Sequence, residues 1–413
     1  MSRLLKSNLV VAAGTALSRI SGLVRVAVFA YVIGQKALGD AYSLANETPN
    51  IVYDLLLGGV LSATLIPLFT SFMAGAQAER GGRHGPDGHD ELDDQRGDEH
   101  ATNVVVTVAV TLMFALTVVA VLLAPLIFRL YSLRVADTVD VDVYRAVGTT
   151  LTRIFLVQIL FYGLTGIANA YLNSRRRYFA AAWSPILPNL IIVLTLLSLP
   201  GAGSVRYRPE DVLTDGRLRW TLGLGATAGI ASMALAVVPA ALRAGLRFRP
   251  AFEWRHPAVR KLLVLSGWTI GFVVANQIAL LVVKNLAGGR GEGLNKAYFD
   301  AFVFFVLPHG LLAVSIATTF QPEMARAVTR RDREAFVHHA SLGTRLIALL
   351  TLPAAAGIFV LRAPIIGLLL QRGQFDAVAA ANTSRALAGL SLGLVGFSVY
   401  LFVLRGFYAH QDT

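Results

Sequence analysis

From Leu9 to Ile33 the chain is apolar over a length that crosses a lipid bilayer, which takes ~20 residues, yet the run carries Arg19 and Arg25. At ~1.5 Å of rise per residue, Arg19 lies ~15 Å beyond Leu9 and Arg25 ~25 Å beyond it. An arginine at the centre of a lone spanning helix costs ~2.5–3.5 kcal/mol on insertion scales. Arg19 therefore points to a polar cavity inside a helix bundle, and so does Arg25 unless it snorkels to the far surface. Six positions apart on a straight helix, the two would face ~120° apart. A bend at Ser21-Gly22 is expected to turn them toward one cavity.

The same kind of run recurs. Ten apolar segments are read near 8–33, 42–73, 102–128, 147–173, 180–200, 219–243, 262–286, 297–320, 342–361 and 383–405. Charged residues make up 15% of the chain, against ~25% in soluble domains, so a soluble globular protein is excluded. The expectation is an all-α polytopic membrane protein of two bundles around a cationic cavity. The first segment is too long, and too polar at Arg19, for a cleaved signal peptide. Cysteine is absent, which removes disulfides, thiol catalysis and Cys-type metal sites. The net charge of +12 comes largely from clusters between the apolar runs: Arg3 and Lys6, Arg175-Arg176-Arg177, Arg243 to Lys261, and Arg326 to Arg333. These fall on alternate loops. The bias places the N-terminus in the cytoplasm.

One loop differs in kind. Residues 76–100 are Gly-rich and acidic, with Glu91, Asp93, Asp94, Asp98 and Glu99. They read as a disordered cytoplasmic insert, or as a metal site of His84, His89 and His100. An internal repeat is also visible: Ser62-Ala-Thr-Leu-Ile-Pro67 is echoed by Ala317-Thr-Thr-Phe-Gln-Pro322, 255 positions on (322 − 67). Segments 1–4 then match 7–10. This gives an N-terminal six-helix bundle over 1–245 and a C-terminal bundle over 246–413 with four helices. The second copy ends at Asp412-Thr413, where an eleventh segment is expected.

Several side chains break the apolar runs. Asp40, Asn46, Glu47, Pro49, Asn50 and Asp54 make the second segment polar, and Pro49 frees backbone groups that belong on a cavity. Asp40 after Gly39 is also good N-cap chemistry, which leaves a purely local role open. Gly58-Gly59, Ser62 and Thr64 suit close helix packing or a thin gate. Arg153 and Lys284 lie near segment ends and can snorkel. Lys296 and Asp300 open the eighth segment, and Pro308-His309-Gly310 predicts a broken helix of the kind found beside transporter sites. His309 is either a proton carrier or a hydrogen-bonded residue at the kink. Arg175–Arg177, before Tyr178 and Trp183, read as an interfacial anchor rather than a nucleic-acid patch. No Walker loop, His-Glu-x-x-His or Gly-x-Ser-x-Gly motif is present. The residues alone describe a carrier with a cationic cavity for an anionic amphiphile, since guanidinium groups bind diphosphate bidentately.

Leu17-Ser-Arg-Ile-Ser-Gly-Leu-Val-Arg25, Gly39-Asp-Ala-Tyr42, Pro49-Asn50, and Gly59-Val-Leu-Ser-Ala63 with Pro67 together resemble the MurJ (MviN) family of lipid II flippases. Gln158-Ile-Leu-Phe-Tyr-Gly163, Leu307-Pro-His-Gly-Leu-Leu-Ala-Val-Ser315, Gln371-Arg-Gly-Gln-Phe375 and Gly406-Phe-Tyr-Ala-His-Gln-Asp412 continue the resemblance in order. The Leu-Pro-His-Gly pattern and arginine-rich composition are similar to actinobacterial members. The resemblance implies the multidrug/oligosaccharidyl-lipid/polysaccharide (MOP) exporter fold. It implies movement of lipid-linked peptidoglycan precursor to the outer leaflet by alternating access, driven by membrane potential or a monovalent cation, with no cofactor and no enzyme activity. Arg19 and Arg25 match the diphosphate-holding arginines, and Asp40 the acidic residue opening helix 2. With Asn46, Gly59, Ser62 and Asp300 it completes the expected cavity and gate set. The chain departs from the family at Tyr53-Asp54 and Asp300-Ala301, where members carry basic residues, so Lys284 or Lys296 is expected to substitute. Family sodium ligands lie partly in helices 11 and 12, outside this sequence, so no metal site is assigned.

The expected partners are a polyprenyl-diphosphate-linked peptidoglycan precursor, membrane lipids and cell-wall synthesis proteins, with no nucleic acid. Alternatives are a flippase for another polyprenyl-diphosphate glycan, a transport-deficient scaffold that binds lipid or protein, and a drug exporter with a less cationic cavity.

Overall fold

The computed structural model describes residues 3–55, 90–175, 177–246 and 248–410. Gly59, Ser62, Thr64, Pro67, His84 and His89 lie outside the described residues, as does most of the 76–100 loop. In chain order the helices are α1 (Arg3–Val32), α2 (Ala37–Leu55), α3 (Asp90–Leu122), α4 (Ala124–Tyr131), α5 (Val141–Leu156), α6 (Gln158–Ser174), α7 (Phe179–Trp183) and α8 (Ile186–Leu197). They continue with α9 (Pro209–Thr214), α10 (Gly216–Arg243), α11 (Pro257–Gly288), α12 (Leu294–Pro308), α13 (Val314–Thr329), α14 (Arg333–Leu370), α15 (Ala377–Leu392) and α16 (Leu394–Ala409).

Among the described residues, seven helical stretches are long and apolar enough to cross a membrane, and α15 with α16 adds an eighth bent by 51°. These eight coincide with the first, third to sixth and eighth to tenth predicted segments. Residues 273–288 of α11 form a shorter apolar helix at the seventh. The acidic residues from Asp90 on are helical and run straight into α3, so this part of the insert is an ordered helix extension.

Aspartates start several helices as the sequence chemistry asks. Asp140 accepts from the amides of Asp142 and Val143, Asp215 from Arg217, Asp332 from Ala335 and Asp376 from Ala379. Each satisfies an amide that a helix start leaves unpaired. The expected bend in α1 is not needed to bring its arginines together, because Arg3–Val32 is one helix whose middle is largely exposed. The break at Pro308-His309-Gly310 is a π turn at His309–Ala313 between α12 and α13, and not an unwound stretch. A π turn lets a proline interrupt the ladder while the chain stays helical.

One apolar cluster packs α1, α2, α4, α5, α8 and α10 together through Phe29, Tyr42, Phe128, Tyr144, Phe155, Ile192 and Leu222. A second joins α1 to α12, α14 and α15 through Val26, Phe304, Phe305, Ile366 and Leu387. Helix α1 thus packs on both groups of helices. Close packing depends on small residues: a Cβ on Gly148 would lie 1.9 Å from the Phe128 ring, whereas one on Gly389 meets nothing within 4 Å. Overpacking of this kind costs about 1–3 kcal/mol. Gly148→Val is expected to lower the melting temperature in detergent by several degrees, with Gly389→Ala unchanged; intrinsic tryptophan fluorescence during heating checks both.

Candidate functional site

A cavity of about 450 Å³ is lined by Thr15, Ser18, Arg19, Gly22 and Arg25 of α1, by Asn189 of α8, and by Phe302 and Leu307 of α12. Its walls come from both groups of helices. Arg19 is exposed and Arg25 half-buried, and among the described residues neither pairs with a carboxylate. Both arginines reach this space because it wraps around the exposed middle of α1. The Asn189 amide donates to the Ser21 hydroxyl (3.0 Å) and the Ser18 carbonyl (3.3 Å), which pins α8 to α1 beside the first arginine.

Asp40 does not cap its own helix. Buried at the start of α2, its carboxylate accepts from the amides of Gly293 (2.8 Å) and Lys296 (2.6 Å) at the start of α12. Glu292 returns the interaction, its Oε1 accepting from the Ala37 amide at 2.9 Å. Each helix start is capped by a carboxylate from the other, and each carboxylate sits against the positive end of the facing helix. The Ala37–Glu292 contact spans 255 positions, the offset of the internal repeat. Two left-handed glycines permit the approach: Gly34 (φ 76°) lies under the Gln374 carbonyl and Gly293 (φ 82°) under that of Gln35, where a Cβ would fall within 2.5 Å of oxygen. The Gln374 amide donates to the Tyr31 carbonyl at 3.0 Å, and the Gln35 amide and Thr383 hydroxyl lie 2.7 Å apart. This end of the molecule is closed.

The two lysines expected to substitute for missing cavity cations do not line the cavity. Lys284 is 1% exposed, with its Nζ 3.4 Å from Glu47 Oε1 and 4.4 Å from the centre of the Tyr131 ring. Lys296 is paired with Asp300 one turn on, its Nζ 4.6 Å from the Phe29 ring centre. In this conformation both lysines are committed to carboxylates, and Asp300 is buried against Lys296 rather than facing the cavity. Asn46 is half-buried, its Oδ1 3.5 Å from Gln158 Nε2. His309 is buried, its Nδ1 3.0 Å from the Ser398 hydroxyl. His100 meets Glu253 at 2.9 Å, and no cluster of three or more metal-type ligands occurs among the described residues.

A family model described as "Lipid II flippase MurJ" matches residues 29–413. The chain belongs to the MurJ family. The "Probable lipid II flippase MurJ" of Rhizobium meliloti is 29% identical over 413 residues, covering 99% of this chain and 71% of that protein. The "Lipid II flippase MurJ" of Burkholderia cenocepacia is 25% identical, covering 99% and 74%. A solved structure titled "Lipid II flippase MurJ, inward closed conformation" superposes with a TM-score of 0.75 at 21% identity, covering 98% of this chain and 77% of that one. An outward-facing MATE transporter of the MOP superfamily follows with a TM-score of 0.62 at 13% identity, covering 98% and 82%. The two-bundle exporter fold is thereby established for this MurJ family chain.

Sequence reasoning missed Glu292 and the pairing of Glu47. The repeat offset held the signal for Glu292, since position 37 plus 255 leads to it. Nothing local marked Glu47 as the partner of Lys284, which is more than 200 positions away.

Two outcomes follow from these contacts. The natural chain has no cysteine, so Gln35→Cys, buried at the closed end, reports opening through its reaction with a membrane-impermeant maleimide. Asp40→Ala leaves two amides without their acceptor, at about 1–3 kcal/mol, and is expected to raise the labelling rate at least several-fold. For the buried pair, Glu47→Leu strands the Lys284 charge, which costs about 3–5 kcal/mol. Its melting temperature is expected to fall, and adding Lys284→Met is expected to restore most of the loss.

Proposed function

We propose that this protein is a flippase that carries lipid-linked peptidoglycan precursor (lipid II) from the inner to the outer leaflet of the plasma membrane by alternating access. The observation that carries the reading is the placement of two arginines without carboxylate partners among the described residues, on one exposed helix, facing one cavity in a chain of this family. Guanidinium groups at membrane depth are tolerated where a polar ligand or water meets them, and two of them offer a diphosphate paired, charge-assisted hydrogen bonds. The apolar wall formed by Phe302 and Leu307 suits the start of a lipid tail.

With the N-terminus in the cytoplasm, the reciprocal caps of Asp40 and Glu292 form the outer closure. The cavity then takes its head group from the inner side. Opening outward breaks the three hydrogen bonds between the starts of α2 and α12, those of Asp40 with Gly293 and Lys296 and of Glu292 with Ala37, so the cycle is a rocking of one helix group against the other. The chemistry is transport, and no step makes or breaks a covalent bond. Membrane potential or a monovalent cation supplies the drive, and the partners are the precursor, membrane lipids and cell-wall synthesis proteins.

Complementation tests the reading. The gene is placed in a bacterium depleted of its own lipid II flippase, beside Arg19→Ala and Arg25→Ala versions at equal membrane levels. Wild type is expected to restore growth and both variants to fail. Growth with all three would remove the arginines from the mechanism, and no growth with well-expressed wild type would favour another polyprenyl-diphosphate glycan as cargo.

A further inference from the structure

The chain that joins α10 to α11 is not helical between residues 248 and 256. It lies at the end of the molecule away from the Asp40 closure. Tyr144 of α5 lines a small space with Asp40, and α10 starts in the same apolar cluster as Tyr144, at Leu218. The 28 residues of α10 then carry the chain ~42 Å to the other end.

Three side chains of α3 hold this segment along one side. The Arg249 amide donates to Asn103 Oδ1 at 3.1 Å, and the Ala251 amide to Thr107 Oγ1 at 3.0 Å. Glu253 Oε1 meets His100 Nε2 at 2.9 Å. The α3 span begins at His100, so Asn103 lies ~5 Å and Thr107 ~10 Å beyond its start. The segment therefore dips along α3 from the level of Asn103 to that of Thr107 and returns to that of His100. Ala251, at the deepest point, packs with Val104 and Val108 of α3. Non-helical backbone at this depth is tolerated where protein satisfies its amides. Asn103 and Thr107, both buried, supply the two acceptors.

The other side is bare. Phe252, next to the deepest point, is 65% exposed, Trp254 is 51% exposed, and Phe248 is exposed as well. Arg249 and Arg255 are exposed, and among the described residues neither has a carboxylate partner. Glu253, the acidic residue of the segment, already meets His100. Several large rings exposed together mark an interaction surface. Rings at the start of a span, with basic side chains beside them, match the edge of a bilayer: the rings enter the apolar margin and the cations meet anionic head groups.

We propose that residues 248–256 form an interfacial anchor, in which Phe248, Phe252 and Trp254 enter the lipid and Arg249 and Arg255 gather anionic phospholipid head groups. The hydrogen bonds to α3 make the anchor part of the first helix group and set that group's depth in the bilayer. The anchor is remote from the Asp40 closure and does not depend on what the Arg19 and Arg25 cavity carries.

The test uses the full chain in vesicles of phosphatidylcholine and phosphatidylglycerol, with the other three tryptophans changed to Phe (Trp183→Phe, Trp220→Phe, Trp268→Phe) so that Trp254 reports alone. Lipid brominated high on the acyl chain is expected to quench Trp254, and aqueous iodide to leave it largely unquenched. At equal mole fraction, brominated phosphatidylglycerol is expected to quench ~2-fold more than brominated phosphatidylcholine, because basic side chains at the surface concentrate anionic lipid. Arg249→Gln with Arg255→Gln is expected to remove that difference. If the chain does not fold with one tryptophan, a nitroxide on Phe252→Cys, with all tryptophans kept, decides: it is expected to collide more with oxygen than with a water-soluble nickel chelate. Quenching by iodide without quenching by brominated lipid overturns the proposal, as does a nitroxide that favours the nickel chelate, the result for a segment that faces water or a protein partner. Equal quenching of Trp254 by the two brominated lipids overturns it too.

Discussion

Two carboxylates at one end of the molecule hold the two helix groups in register. Asp40 takes the free amides at the start of α12, and Glu292 takes the one at the start of α2. Each exchange satisfies donors that a buried helix start cannot leave bare, and each places a negative charge at the positive end of a helix dipole. The glycines at 34 and 293 let the loops approach so closely that a Cβ on either would fall within 2.5 Å of a backbone oxygen. With that end drawn together, the middle of α1 is left standing in open space, and its arginines line a cavity rather than an interface.

The remaining buried charge is arranged to leave those arginines unmatched. Lys284 and Lys296 each have a carboxylate partner and an aromatic face, so they are neutralised in pairs within the interface. A buried ion pair is weak evidence for stability, but a broken one is strongly destabilising. Such pairs therefore restrict which packings of the helices are accessible. Arg19 and Arg25 differ because their lining partners are hydroxyl, amide and apolar groups. A cationic surface without an internal anion is available for a ligand's anion. At Tyr53-Asp54 and Ala301, where the resemblance led one to expect further basic residues, the chain carries none, so among the described cavity-lining residues the positive charge rests on α1.

Much of this was legible in order along the chain. Apolar runs of bilayer length locate the described spans, with ends up to nine residues from those observed, because a helix in lipid satisfies its backbone internally and needs only length and hydropathy. The motif residues around Arg19 and Arg25 indicate the family, whereas Asp40, which local chemistry marks as a cap of its own helix, serves another one. The acidic stretch after Asp90 misleads in its composition: polar residues extend a helix that the apolar run behind them has already nucleated. The pairing of Lys284 was hidden for a different reason. A lysine near the end of an apolar run looks the same whether it snorkels or meets a carboxylate from a distant helix.

Sequence alone determined that the chain spans a membrane many times, that its first span carries two cations at depth, and which family it belongs to. These follow from short-range quantities: hydropathy, length and residue order. Only the tertiary structure decided that Asp40 caps a helix 256 positions away, that Glu292 caps the start of α2 in return, and that both lysines are occupied. Each of those depends on which helix faces which, set by packing of whole surfaces across the fold, and no local pattern records it.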